Sequence, residues 1–237
     1  MRYCRHMSTL TAAIETGPWT SERIHDELLR RILDREITHE SVLLETELGA
    51  ELGVSRTPIR EAVSRLVEAR LLERGTRGLR LVRSSPAEML DLYQARIALE
   101  VEAAGLAAER HLPLDLARLE HLLELAGQTQ DAAEALAVNA AWHRTLRSTC
   151  HNNALQELLE RVSVRLRVAE GNDISAHDPA VNVEDHQAII EAIRARDAER
   201  ARTAMRHHLT RVRDLRTRAI ARESRGLVGP GHPVPAT

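Results

Sequence analysis

The chain has 237 residues, 43% of them hydrophobic and 29% charged, with a formal net charge of -2. That length and apolar content suit two compact domains and exclude a disordered polypeptide, while the near-neutral total does not by itself mark a nucleic-acid binder. Two cysteines, Cys4 and Cys150, cannot build a disulfide framework. No apolar run approaches the roughly 18 residues of a membrane span, and the opening residues are too short and polar for a signal peptide, so a cytoplasmic location is expected.

Residues 1–20 are read as an extension, with Met7 as an alternative start, and a first domain is read over 21–83. Within it a short helix runs from Glu45 to Leu52. Gly53 suits the left-handed turn that ends it, and Ser55 can accept a backbone bond at the start of the next helix. Pro58 fits that first turn, where a proline sacrifices no helical hydrogen bond. The spacing is that of a helix-turn-helix, and it presents Arg56, Thr57 and Arg60 at the end that a recognition helix inserts into the major groove. From Leu71 to Val82 the pattern is a two-stranded hairpin, its turn marked by Gly75 and Gly78, with Arg77 at the tip able to reach a minor groove or a phosphate.

Charge is concentrated here. Between Ser55 and Arg83 there are eight arginines against three acids, an electrostatic footprint for DNA within a chain of near-zero net charge. For Arg65, Arg70 and Arg74 an ordinary solvated face is an equal reading.

The stretch Gly53-Val-Ser-Arg-Thr-Pro-Ile-Arg-Glu-Ala62 resembles the recognition segment of the GntR family of bacterial transcription regulators. The resemblance extends from a helix holding Ile24, Leu28, Leu29 and Ile32 through to the hairpin, the wing of a winged helix-turn-helix. It implies binding to a double-stranded DNA operator through Thr46, Ser55, Arg56, Thr57, Arg60, Arg77 and Gly78. Two departures stand out. His39-Glu40 replaces the family's usual Pro-Gly, so that turn must be built differently, and Thr46 stands where some relatives carry a DNA-contacting arginine.

Ser84-Ser-Pro86 reads as a linker into a helical domain over 87–222. Apolar residues recur at three- and four-residue steps in segments of about 87–110, 131–150, 153–170 and 183–221, the last breaking near Asp197, which can cap a new helix. The tail from Glu223, rich in glycine and proline, reads as disorder.

Polar residues interrupt these apolar stripes. One stripe runs Met89, Leu92, Arg96, Leu99, Ala103, Leu106; another Leu136, Asn139, His143, Leu146, Cys150; a third Val183, His186, Ile190, Ile193; a fourth Met205, His208, Val212, Leu215. A single inward histidine is ordinarily a hydrogen-bonded core residue. Three together point to a site, because imidazole suits zinc, nickel or another transition ion, and Asn139 and His143 share a helical face one turn apart. His207 falls out of phase and is expected in solvent.

Leu92-Tyr-Gln-Ala-Arg96 with Glu100, Trp142-His-Arg-Thr-Leu146, Asp185-His-Gln-Ala-Ile-Ile-Glu-Ala-Ile193 and Met205-Arg-His-His-Leu209 resemble the FCD domain, the all-helical effector-binding domain of one large GntR subfamily. The resemblance implies a mostly α architecture: an N-terminal winged helix-turn-helix plus a C-terminal all-helical FCD-type bundle. It also implies a divalent metal on His143, His186 and His208, with Asn139 at the position of the family's aspartate. An amide oxygen is a weaker ligand than a carboxylate, so the alternatives are a weakened metal site or histidines that bind the effector directly without a metal. Arg96 is similar to a family arginine that holds the effector, and the effector set becomes Arg96, Asn139, His143, Arg165, His186 and His208. The other reading of Arg96 is an internal salt bridge, for instance with a glutamate on a neighbouring helix. Arg165 and Arg167 cannot both face the pocket.

The functional expectation is a homodimeric transcription regulator, a repressor, that reads a palindromic operator and answers to a small organic acid. An architectural DNA-binding dimer and a metal-dependent hydrolase are the alternatives.

Overall fold

The computed structural model describes residues 17–170 and 179–226, in two compact units that divide between Val82 and Arg83. Cys4, Met7 and the tail beyond Gly226 lie outside the described residues.

In the first unit, α1 (Ser21–Leu33) starts at Thr20, whose hydroxyl accepts from the Arg23 N–H at 3.3 Å. Ile24, Leu28 and Ile32 lie on one face of α1 and pack toward α3 (Arg56–Glu68), which buries Ile59, Ala62, Val63 and Leu66. Between them α2 (Glu45–Leu52) ends at Gly53, whose φ of 66° is the left-handed geometry expected there. Ser55 occupies the cap position of α3 with extended backbone, but its side chain makes no capping bond, contrary to the sequence expectation.

Strands β1 (Leu72–Gly75) and β2 (Gly78–Leu81) pair antiparallel with Gly75 opposite Gly78, leaving Thr76 and Arg77 as a two-residue turn. Gly78 has a φ of 135°, and a Cβ there would stand 2.7 Å from the Leu43 carbonyl oxygen. The close approach lets Leu43 pair with Leu79 in an isolated antiparallel bridge beside the wing. The turn before it is built without Pro-Gly: Ser41 N–H donates to the Thr38 carbonyl, and the Ser41 hydroxyl accepts from the Thr38 N–H, both at 3.0 Å.

In the second unit, α4 (Pro86–Arg110) begins one residue earlier than read, with Pro86 in its first turn and a reciprocal cap between Ser85 and Glu88. It packs against α6 (Ala132–Thr149), α7 (Asn153–Glu170), α8 (Pro179–Arg194) and α9 (Ala198–Gly226). Val101, Ala104 and Ala107 meet Trp142, Leu146, Leu159, Ile189, Ile193, Met205 and Leu209 in one core. The α8–α9 break falls where the sequence placed it, with Asp197 accepting from the Arg200 N–H at 2.9 Å.

Three expectations are corrected. Helix α5 (Pro113–Gln128) was not among the segments read from the sequence, because its leucines surround it: Leu119 and Leu123 are buried, whereas Leu112, beside its start, and Leu114 and Leu125 are exposed, which blurs the period. Helix α8 starts at Pro179, ahead of 183. Helix α9 continues to Gly226, so residues 223–226 are helical rather than part of a disordered tail.

Candidate nucleic-acid interface and metal centre

Arg56 and Thr57 open α3 and, with Ser55, Arg60 and Thr46, are exposed; Arg77 is exposed at the wing tip, and Gly78 is half-buried beneath it. A shallow groove brings Thr46, Arg56 and Gly78 together, with Glu45 and Arg74 also in its wall. Ser55, Thr57, Arg60 and Arg77 are not part of that lining.

Glu45 was not foreseen. Its carboxylate takes the Arg60 Nε at 3.2 Å and the Arg74 Nη1 at 2.8 Å. Those bonds to two arginines hold it below the usual carboxylate range, with Arg74 the larger influence. Arg74 therefore sits in the groove wall in an ion pair, not on an indifferent solvated face. Arg65 and Arg70 occupy exposed positions.

In the second unit the three stripe histidines converge. His143 comes from α6, His186 from α8 and His208 from α9; all are buried, and one ring nitrogen of each lies within 4.8 Å of the others. His186 lies flat on Trp142, ring centroids 3.6 Å apart at 4°. His207 has 71% of its side chain exposed, out of phase as read.

Hydrogen bonds orient the rings. His143 Nδ1 lies 2.9 Å from Glu100 Oε2, and His208 Nδ1 lies 3.2 Å from Asp185 Oδ2. A carboxylate at Nδ1 favours the tautomer that leaves the Nε2 lone pair free. Those two Nε2 atoms then face each other at 3.4 Å. Two lone pairs so placed repel unless a proton or a cation stands between them, and burial works against the proton, pushing His143 down to about 3 despite Glu100. Two nitrogens each about 2.1 Å from one tetrahedral ion lie about 3.4 Å apart, so the spacing suits a shared metal. Two further buried atoms, Asn139 Oδ1 and His186 Nε2, have no hydrogen-bond partner in the protein. The three histidines fit a transition ion that accepts neutral imidazole.

Glu100, fully buried, is the hub that the sequence reading left without a role. One oxygen takes His143; the other takes Arg96 Nε and Arg147 Nη2, each at 2.8 Å. Burial opposes its ionisation, but Arg96, His143 and Arg147 together hold it well below the usual range. Arg96 thus makes the internal salt bridge that was its other reading, with its glutamate four residues along α4 instead of on a neighbouring helix. Arg147 was also missed, although it stands one turn beyond His143 on α6. The stripe through Met89, Leu92, Ala103 and Leu106 is buried as read, with Leu99 partly buried against the core, and Glu100, outside that stripe, is buried beside it. Arg165 is half-buried on α7 and Arg167 exposed.

Comparison with known proteins agrees across both units. Residues 20–78 match the model described as bacterial regulatory proteins, gntR family, and residues 91–211 match the FCD domain. The HTH-type transcriptional regulator McbR of Escherichia coli (strain K12) is 30% identical over 167 residues, covering 68% of this chain and 76% of that protein. The gluconate operon transcriptional repressor of Bacillus licheniformis is 28% identical over 193 residues, 76% of this chain and 78% of that one. Among solved structures, E. coli McbR/YncC matches with a TM-score of 0.68 at 25% identity, covering 87% of this chain and 98% of its own.

Proposed function

The chain belongs to the GntR family of bacterial regulatory proteins with a C-terminal FCD domain, DNA-binding transcription regulators, and from that premise we propose that it is a repressor released by a small organic acid. The winged unit reads a palindromic operator as part of a homodimer in the cytoplasm. Thr46, Ser55, Arg56, Thr57 and Arg60 face the major groove, while Arg77 and Gly78 bring the wing to the backbone or minor groove. The sign of regulation is supported by the name of the gluconate operon repressor among its relatives. Among the described residues no helix is long and apolar enough to cross a membrane.

The sensor is the helical unit. The observation that carries this is the facing pair of Nε2 atoms on His143 and His208, each ring tied through Nδ1 to an acid. A divalent ion such as zinc or nickel would be held by His143, His186 and His208 with the Asn139 amide oxygen. When bound, it supplies a Lewis-acidic position for an oxygen of the effector. Arg96 presents a guanidinium beside it for a carboxylate, with Asn139 and Arg165 completing the wall. Binding there biases the two DNA-binding units between arrangements that do and do not fit the operator.

Two measurements test the two halves. Arg56→Ala is expected to weaken binding to the tightest duplex selected from a random pool by roughly 1–3 kcal/mol; an unchanged titration removes Arg56 from base readout. Metal analysis of the full chain after nickel or zinc loading is expected to give about one ion per chain. Carboxylates screened by thermal shift on the loaded protein should include one that raises the melting temperature and frees the duplex. Loading that leaves no metal on the protein would end the metal-linked sensor.

A further inference from the structure

We infer that Glu45 is a positioning residue for DNA readout: its single carboxylate holds a recognition-helix arginine and a wing arginine at once, and sequence discrimination depends on that hold.

Glu45 is the first residue of α2, a place where the helix dipole favours a negative charge, and it is only 14% exposed, whereas Arg60 and Arg74 are 65% and 55% exposed. Its two oxygens serve different elements. Oε2 meets Arg60 of α3, one turn beyond Arg56, and Oε1 meets Arg74 of β1. Arg60 is gripped at Nε, nearer the chain than its terminal nitrogens, so its forked end remains at the exposed tip of the side chain. A long arginine loses several rotatable bonds' worth of freedom when it docks, and holding it in advance removes part of that cost for the geometry so held.

An acid among DNA-facing arginines also repels phosphate. Three side chains that would carry two positive charges without it carry one, so Glu45 weakens the sequence-independent attraction that any duplex exerts. A residue kept for affinity would have the opposite sign. The combination of lower general attraction and fixed arginine geometry is that of a discriminating residue.

This inference rests on the proposed DNA-facing role of α3 and the wing. The test uses the full chain, the tightest duplex selected from a random pool and a scrambled duplex of the same composition, titrated across a salt series. For Glu45→Gln, the scrambled duplex should bind several-fold more tightly. Its logarithmic salt slope should steepen by about one, because released arginines find phosphates. The ratio of selected to scrambled affinity should fall about tenfold. Glu45→Asp, which keeps the charge, should retain the wild-type salt slope. Equal weakening on both duplexes, or an unchanged ratio, overturns the inference. Arg56→Ala in the same assay separates the failures: if it lowers the ratio while Glu45→Gln does not, the interface stands and Glu45 has no part in it; if neither lowers it, the interface itself was misplaced.

Discussion

Trp142 lies flat against His186, with ring centroids 3.6 Å apart and planes 4° from parallel, so an indole on α6 fixes the orientation of an imidazole on α8. The stack couples the histidine cluster to an optical reporter. The chain has two tryptophans, Trp19 and Trp142. In a Trp19→Leu background, nickel or copper bound at His186 should quench most of the remaining emission, and Trp142→Leu should lower metal affinity about tenfold, the scale on which groups supporting a ligand act. Full metal occupancy with unaltered emission would place the ion elsewhere.

Asn139 is the proposed fourth ligand, a neutral oxygen whose buried Oδ1 has no hydrogen-bond partner in the protein. Exchanging it for a carboxylate adds the charge that hard and borderline cations favour, so Asn139→Asp should tighten zinc or nickel by tenfold or more. His143→Ala should release the ion. Competition with a chromogenic chelator measures both, and equal affinities for the wild type and Asn139→Asp would remove Asn139 from the ligand set.

Glu100 has no solvent to fall back on. Removing its charge leaves Arg96 and Arg147 facing a neutral amide in the interior, and a buried pair broken from one side costs about 3–5 kcal/mol. Glu100→Gln should therefore lower the unfolding free energy of the helical unit by about that amount. It should also weaken metal binding, since the acceptor at His143 Nδ1 loses its negative charge. A loss below about 1 kcal/mol would mean the arginines find other partners.

Acid should act on α1 in the first unit. Hydrogen bonding to Arg30, with Arg31 adding to it against the opposing effect of burial, holds Glu27 down at about 2, compared with an ordinary value near 4.5. The folded-state value is depressed, so the stabilisation is complete above about 4.5 and disappears as pH falls toward 2. Its size is on the order of 1–3 kcal/mol after allowing for partial solvent exposure. Urea titrations of wild type and Glu27→Gln between pH 6 and pH 2 should converge at the acid end; a constant gap would assign the difference to packing.

The local signals in the chain were enough for most of the fold. A glycine at 66° ends α2, Gly75 and Gly78 bracket the wing, and Asp197 starts α9, because each depends on backbone conformation within a few residues. Periodicity also placed His143, His186 and His208 inward, since the side of a helix that carries apolar residues is the side that is buried. Helix α5 escaped that logic because leucines lie on more than one of its faces.

Pairing was a different matter. Glu100 stands 43 residues from His143, Asp185 stands 23 from His208, and Glu45 stands 29 from Arg74. No spacing rule relates residues on different elements; only the crossing of packed helices decides which acid meets which base. By itself the sequence determined the winged reader, the helical bundle and the inward histidines, all consequences of short-range geometry. The tertiary structure alone decided that two carboxylates turn the rings of His143 and His208 toward each other, and that one glutamate ties Arg60 to Arg74, because electrostatic partners are chosen by distance in space.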